Sequence, residues 1–282
     1  LASSLSNIAG SSLTYLDRLI IPIFLGPSQL TYYSLPGNIS SKIPGVSGNL
    51  SDVIFPITVG LNSVNNQEKI QRLYQRSFRL LLIISCAICF SIVFLADKIM
   101  LNWLNTDFAK QSTNVLIILA LTNLLLAMSG PLSKFLLALS KFRFLTVNYL
   151  IMAGLNGILL LILLPRYGIN GAAWAYLLSI LPIIFMFYYT ETKFLKLKGR
   201  ATYYIKLIGK ITLVTAVMFV IDKFIIGNLI INLTTLVVLG PTAVLLYLAC
   251  YKLFNFYEQE DWVDIRNFVL VIIKRFNFLK TK

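Results

Sequence analysis

The sequence contains no histidine, and only three of its 282 residues are cysteines. Histidine is the commonest general base and metal ligand of proteins, so its absence removes the usual chemistry of hydrolytic and metal-dependent sites. Cys86 and Cys89 have the CxxC spacing, but no second cysteine pair completes a metal site, and all three cysteines lie in apolar runs. We therefore expect apolar packing for the cysteines, no catalytic residue, no bound metal and no cofactor.

Charged residues are also scarce. They make up 13% of the sequence and hydrophobic residues 57%, whereas soluble domains have about 25% charged residues. The 25 lysines and arginines outnumber the 11 acidic residues, but most of them lie in the gaps between apolar runs, not in the cluster that nucleic-acid binding requires. A GxxxxGK[ST] phosphate loop is missing, which argues against ATP hydrolysis. The composition predicts an integral membrane protein that binds no nucleic acid.

Eight stretches are apolar and long enough, at about 20 residues each, to cross a bilayer as helices. They are approximately residues 4–25, 38–61, 77–97, 112–133, 144–164, 169–190, 206–224 and 229–251. Lysine and arginine are concentrated in every second gap and after the last span, which places those gaps and the C-terminus in the cytoplasm. The opposite gaps are short, the first running from Gly26 to Gly37, so none has room for an external catalytic domain. The sequence predicts an all-α, polytopic transmembrane bundle of about eight helices that is not an enzyme.

Asp17 and Arg18 are charged residues near the middle of the first predicted span. A charge at the bilayer midplane costs about 2.5 to 3.5 kcal/mol or more, so such residues usually face a bundle interior or an aqueous cavity. Pro22 removes the helical hydrogen bond to the Arg18 carbonyl, and the second span, also interrupted by prolines, contains Lys42 and Asp52. Interrupted helices with ionisable groups near the midplane are typical of transporter binding sites. The alternative is that these residues pair with other helices and only hold the bundle together.

Other polar and small residues lie inside the predicted spans. For Asn123 and Asn156 we favour hydrogen bonds between helices over substrate contacts. Gly154 and Gly157 predict close packing against another helix.

Three segments carry a resemblance to a known family. They are LTYLDRLIIPIFLGPSQLTYYSLPGNISSKI at residues 13–43, VIFPITV at residues 53–59 and PRYGINGAAWA at residues 165–175. The Asp-Arg doublet, the glycine after the apolar run, the paired tyrosines and the Phe-Pro pair resemble the seventh and eighth helices of the Wzx-type polysaccharide and O-antigen flippases. These transporters belong to the multidrug/oligosaccharidyl-lipid/polysaccharide exporter superfamily. The third segment resembles a turn between two later helices of the same family.

This resemblance implies a two-lobed, MATE-like transporter of which the chain supplies the second lobe. Residues 1–190 would form that six-helix lobe and residues 191–251 two additional transmembrane helices. The tail, residues 252–282, has apolar residues at helical spacing and predicts an amphipathic helix on the cytoplasmic face. The chain begins inside the first predicted span, so we expect it to be part of a longer protein.

The resemblance also implies a function. The transporter would flip an undecaprenyl-pyrophosphate-linked oligosaccharide, the unit of O-antigen lipopolysaccharide, capsule or exopolysaccharide, across the bacterial cytoplasmic (inner) membrane by ion-coupled alternating access. Positions matching the family suggest Arg18 and Tyr33 for substrate binding and Asp17 for coupling to Na⁺ or a proton. The burial argument adds Lys42 to the substrate-binding residues and Asp52 to the ion-coupling residues.

Partners and alternative functions follow from the same residues. The expected partners are the lipid-linked oligosaccharide and membrane lipid. Other proteins of polysaccharide assembly are further candidates. A drug or cation exporter of the same superfamily is the first alternative, but Arg18 and Lys42 favour an anionic cargo. A membrane-embedded glycan polymerase or ligase is the second, and the short external gaps disfavour it.

Overall fold

The protein is built from helices, with no strand, in the residues that the computed structural model describes, which are 15–64, 66–103, 105–197 and 200–253. The helices are, in chain order, α1 (15–25), α2 (Pro27–Ser40), α3 (Lys42–Ser63), α4 (Gln67–Phe94), α5 (Ala96–Trp103), α6 (Thr106–Ala138), α7 (Phe142–Ile180), α8 (Pro182–Tyr189), α9 (Arg200–Ile221), α10 (Gly227–Leu229) and α11 (Leu233–Leu253). One π-helical turn, Thr190–Phe194, follows α8, and another, Asp222–Ile226, joins α9 to α10. The predicted all-α bundle is confirmed. The division into a lobe, two additional helices and a tail stays a prediction, and residues 254–282 of that tail lie outside the described residues.

Five helical segments of the described chain are long and apolar enough to cross a membrane. They are Gln67–Phe94, Thr106–Ala138, Phe142–Phe194, Tyr203–Leu229 and Leu233–Leu253. The third contains the fifth and sixth predicted spans, so predicted spans three to eight all coincide with these segments. The first predicted span is described only from residue 15, and the second lies on α2 and α3, which are not among the five. The chain is therefore a multi-pass membrane protein.

The first predicted external gap is helical and not a loop. Gly26, with φ of +86°, ends α1, and Pro27 occupies the first turn of α2, where a missing N–H leaves no bond unmade. Pro36, further along α2, deprives the Tyr32 carbonyl of its helical donor. The Ser112 hydroxyl of α6 donates to that carbonyl at 2.9 Å. A contact with α6 thus satisfies the one carbonyl of α2 that Pro36 frees, and the local sequence does not reveal this contact.

Helix α6 is the centre of the bundle. Its most apolar stretch is 67% buried, against 11% for the peripheral α11, and it packs against α2, α3, α4, α5 and α7. Small residues allow the close approach to α3, because a Cβ at Gly130 would lie 3.0 Å from the Ser51 hydroxyl oxygen. α6 therefore holds α2 and α3 in fixed positions relative to the rest of the bundle.

A second apolar cluster joins α4 to the peripheral helices α9 and α11. Its buried members include Phe78, Cys86, Met218 and Tyr247. Cys86 and Cys89 are both buried in apolar surroundings, so the predicted packing role of these two cysteines is confirmed. The outward faces of α9 and α11 expose many large apolar side chains, as expected of a surface that contacts lipid.

Helix α7 consists of two helices joined by a tight reversal at Gly168, which has φ of +58° and ψ of −144°. The reversal brings Gly171 over the preceding helix so closely that a Cβ there would lie 2.1 Å from the Leu163 carbonyl oxygen. This reversal explains the two glycines of the PRYGINGAAWA segment. The predicted close packing at Gly154 and Gly157 is wrong for the part of the chain that the structure describes, because no described atom lies within 4 Å of a Cβ placed at either residue.

Candidate functional site

The turn at Gly26 brings α1 and α2 together around Asp17. Asp17 lies nine residues before Gly26 and Tyr33 seven residues after it, so a reversal at the glycine returns α2 to the level of Asp17, roughly 10 to 14 Å along each helix at 1.5 Å per residue. The Tyr33 hydroxyl donates a short hydrogen bond to Oδ2 of Asp17. Tyr33 is itself buried, at 4% exposure. The paired helices thus hold an acid and a phenol in contact inside the protein.

Helix α7 supplies a second donor to the same carboxylate. Nδ2 of Asn156 donates to Oδ1 of Asp17 at 2.9 Å, and both residues are buried. The expected interhelical hydrogen bond of Asn156 is therefore confirmed, and its acceptor is the carboxylate of Asp17. Each Asp17 oxygen accepts one hydrogen bond from a neutral group, and no described residue pairs with it as a cation. Such a site stabilises a carboxylate by hydrogen bonding and forms no ion pair with it among the described residues.

Arg18 points to a different part of the structure. Its guanidinium donates to Oδ1 of Asn38 on α2 at 2.9 Å and lies 5.8 Å from the centre of the Tyr15 ring. Arg18 is half-buried, whereas Asn38 and Tyr15 are exposed. Adjacent residues of a helix do not face one another, so Asp17 is turned into the interior and Arg18 towards an accessible surface. The guanidinium is available to a ligand of the opposite charge.

Lys42 continues the accessible surface on which Asn38 lies. It is exposed and follows Asn38 by four residues, about one helical turn. The chain at Ser41 between α2 and α3 keeps helical torsion angles, with φ of −64° and ψ of −12°. No described residue forms an ion pair with Lys42. Its predicted role in substrate binding stays a prediction, as do those of Arg18 and Tyr33.

Asp52 lies apart from the Asp17 carboxylate. It is exposed, ten residues beyond Lys42 on α3, and its Oδ1 pairs with the ammonium of Lys134 on α6 at 2.6 Å. The second predicted ion-coupling residue is therefore held in a charge pair between helices. Its role in coupling stays a prediction.

The Asp52–Lys134 pair is expected to contribute weakly to stability, by about 0.2 to 1 kcal/mol, because both side chains reach solvent. Asp52→Lys should lower the melting temperature slightly through repulsion with Lys134, and Asp52→Lys combined with Lys134→Asp should restore it. Thermal unfolding of the unaltered protein, Asp52→Lys, Lys134→Asp and the double variant at low salt measures the coupling, and about 1 M salt should remove it. A coupling that persists in high salt would contradict a solvent-screened pair.

Two contacts of the site were not anticipated from the sequence. The first is the hydrogen bond from Arg18 to Asn38. The position of Asn38 one helical turn before Lys42 was the feature of the sequence that could have indicated it. The second is a hydrogen bond from Nδ2 of Asn123 on α6 to the Ser40 hydroxyl at 3.0 Å. The prediction that Asn123 bonds between helices is confirmed. The sequence did not identify Ser40 as its partner. Both contacts fix the end of α2 that leads to Lys42.

Comparison with known proteins finds polysaccharide biosynthesis and glycan transport proteins that are similar to different parts of the chain. Residues 2–112, which contain Asp17, Arg18, Tyr33, Lys42 and Asp52, match the family described as "Polysaccharide biosynthesis protein". A "Probable low-salt glycan biosynthesis flippase" of Haloferax volcanii is 30% identical over 177 residues, 63% of this chain and 37% of that protein. A "Putative O-antigen transporter" of Shigella flexneri is 20% identical over 190 residues, 67% of this chain and 45% of that protein.

A solved structure shares the fold. A lipid II flippase, MurJ, in an inward closed conformation aligns with a TM-score of 0.66 over 88% of this chain and 52% of that chain, at 16% identity. The chain thus spans between about a third and a half of the length of these relatives. The matches confirm the resemblance predicted from the sequence, because the chain is similar to proteins named as a glycan flippase and an O-antigen transporter.

Proposed function

We propose that this chain forms part of a transporter that flips a lipid-linked oligosaccharide across the cytoplasmic membrane by ion-coupled alternating access. The cargo would be an undecaprenyl-pyrophosphate-linked unit of O-antigen, capsule or exopolysaccharide, moved from the cytoplasmic to the outer leaflet. The names of the similar proteins support this proposal, since they are flippases and transporters and not enzymes. We infer on the same grounds that the chain catalyses no reaction.

The observation that carries the proposal is the separation of an acid and a base that are neighbours in sequence. The buried Asp17 carboxylate, with one neutral donor on each oxygen, suits a small cation that can exchange with those donors. The half-buried Arg18 guanidinium, held by Asn38, suits an anion, because a guanidinium binds phosphate oxygens in a fork. One helix would therefore present a coupling site for Na⁺ or a proton and a binding site for pyrophosphate. Lys42 would add a second positive charge to the latter site.

The membrane potential favours the proposed direction of transport. Moving a negative charge outwards across a membrane that is negative inside releases about 2.3 kcal/mol per charge per 100 mV. A pyrophosphate diester carries two such charges, so the electrical gain is larger than for a singly charged lipid. We propose the cytoplasmic membrane as the location, with the C-terminus on its cytoplasmic side.

Arg18→Ala in the complete transporter is expected to reduce translocation of the lipid-linked oligosaccharide about tenfold to a hundredfold. The loss corresponds to one charge-assisted contact with the pyrophosphate, about 1.5 to 3 kcal/mol. Arg18→Lys should recover part of the rate, because it retains the charge without the fork. The rate is measured as appearance of the glycan on the outer face of cells or vesicles that depend on the variant.

Arg166→Ala is the matched control for the Arg18 variants. Arg166 is an exposed arginine in the turn of α7, outside the site, and its loss should leave translocation unchanged. Equal rates for Arg18→Ala and the unaltered protein would remove Arg18 from the mechanism. Equal losses in the Arg18 and Arg166 variants would show a general need for positive charge and contradict a specific site.

A further inference from the structure

A second aspartate is buried in the protein, away from the site built around Asp17. Asp222 lies in the π-helical turn Asp222–Ile226 at the end of α9, and its side chain has no exposed surface. Neither of its carboxylate oxygens has a hydrogen-bond partner among the described residues. Asp17, in contrast, receives a hydrogen bond on each oxygen. The two buried aspartates of the described chain are therefore in chemically different environments.

No positive charge compensates Asp222. Its neighbour Lys223 is exposed, and the ammonium of Lys223 lies 5.3 Å from the centre of the Phe219 ring. No lysine or arginine of the described residues forms an ion pair with Asp222. An ionised carboxylate without a partner in an apolar interior is strongly unfavourable, and a group in that position takes up a proton instead.

The surroundings of Asp222 favour a proton over a metal cation. Apolar and sulfur-containing side chains of α4, α9 and α11 form the adjoining cluster, among them Cys86 and Met218. Hard cations require several oxygen ligands, and sulfur ligands suit soft metals. A proton requires only one oxygen atom, which the carboxylate of Asp222 provides.

Other buried polar atoms on these helices also lack a hydrogen-bond partner among the described residues, and two of them lie on α9 and α11. They are Oγ1 of Thr215 and the Tyr247 hydroxyl oxygen. Thr215 precedes Asp222 by seven residues, about two helical turns, so both lie on the same face of α9. Seven residues correspond to about 10 Å of helix rise, so the Thr215 hydroxyl does not reach the Asp222 carboxylate, which keeps no hydrogen-bond partner among the described residues. The charged and titratable residues on the segments that pack here include Cys86, Cys89, Asp97, Lys98, Tyr203, Tyr204, Lys223, Tyr247, Cys250 and Tyr251.

We propose that Asp222 is a proton-binding site formed where α9 packs against α4 and α11. The proton comes from water and adds to one carboxylate oxygen, and no other group is transferred. With the proton bound, the neutral acid allows α9 to pack against the two neighbouring helices; loss of the proton creates an unpaired charge and drives α9 away from them. This site is separate from Asp17 and does not rest on the proposed transport function.

Infrared spectroscopy of the complete protein in lipid vesicles at neutral pH tests the proposal. The carbonyl absorption of a protonated carboxylic acid is expected in the unaltered protein and should lose the contribution of Asp222 in Asp222→Asn, leaving at most that of other buried acids such as Asp17, the other buried aspartate of the described chain. Asp97→Asn, which removes an exposed carboxylate at the start of α5, is the matched control and should leave the absorption unchanged. An absorption that is missing from the unaltered protein, or that is undiminished in Asp222→Asn, would overturn the proposal.

A second measurement covers the case in which Asp222→Asn does not fold. Aspartate labelled with ¹³C at its side-chain carboxyl is incorporated into Asp17→Asn, which leaves Asp222 as the one buried aspartate of the described chain. An isotope-sensitive absorption of a protonated acid is expected at neutral pH, because exposed aspartates are ionised there. Its absence would overturn the proposal, and its loss on adding Na⁺ would do so in favour of a metal cation.

Discussion

Asp17→Asn is expected to abolish ion-dependent transport and to leave the protein folded. The carboxylate of Asp17 is the single acidic group in a buried site whose other described members, Tyr33 and Asn156, are neutral. Asparagine has nearly the same shape but no charge to attract a cation, so the response of translocation to an Na⁺ or proton gradient should fall at least about tenfold, the equivalent of 1.4 kcal/mol of cation binding. The measurement is translocation in vesicles with and without each gradient.

Thermal stability separates this effect from a folding defect. Asn156 can rotate its amide and Tyr33 can either donate or accept, so Asp17→Asn retains hydrogen-bonding possibilities, and removal of an uncompensated buried charge should leave the melting temperature equal or higher. Asp17→Asn combined with Asn156→Asp exchanges the two groups across the interface of α1 and α7, and should restore part of the ion dependence. Unchanged ion dependence in Asp17→Asn would exclude Asp17 as the coupling residue.

Gly171→Ala is expected to destabilise the protein by about 3 kcal/mol or more. The added Cβ would lie 2.1 Å from the Leu163 carbonyl oxygen and 2.7 Å from its carbon, and these are backbone atoms that can move only if the two halves of α7 separate. Overpacking of a rigid contact costs about 1 to 3 kcal/mol and sometimes more. The measurements are the melting temperature and the yield of monodisperse protein.

Gly154→Ala provides the matched control, because it introduces the same methyl group on the same helix at a position with nothing within 4 Å. Alanine is favoured over glycine in a helix by roughly 0.5 to 1 kcal/mol, so this variant should be slightly stabilised. The two substitutions should therefore have opposite effects. Equal effects would mean that the reversal at Gly168 does not hold α7 as described.

Part of the site could be predicted from the sequence, because the energetic cost of a charged residue in an apolar stretch can be recognised without knowing which helices pack together. A charged residue in an apolar stretch is unfavourable wherever the helix packs, so Asp17 and Arg18 were identifiable, and so were the segments long enough to cross a bilayer. The partners of these residues could not be predicted, since Asn156 meets Asp17 only through the packing of α7 against α1. Asn38 is likewise brought to Arg18 by the turn at Gly26.

Other features depended on contacts that no local pattern contains. Helix α2 occupies a predicted loop because Ser112 on a distant helix satisfies the carbonyl that Pro36 frees. Asp222 was passed over because the seventh span was predicted to end at residue 224, close to an interface, whereas the helix continues through a π-helical turn to Leu229. Glycines at 154 and 157 suggested close packing, but the open space beside them depends on the arrangement of whole helices.

A single peptide bond joins Asp17 to Arg18 on one unbroken turn of α1, so neither side chain can be redirected by a movement of the backbone without the other. Under the proposed function, a cation that displaced Tyr33 from the carboxylate and rotated α1 would also change the angle at which the guanidinium meets an anion. Thermodynamic reciprocity then requires the bound anion to change the affinity for the cation by the same factor. The ion gradient would in that case be coupled to the transported anion through the single peptide bond between Asp17 and Arg18.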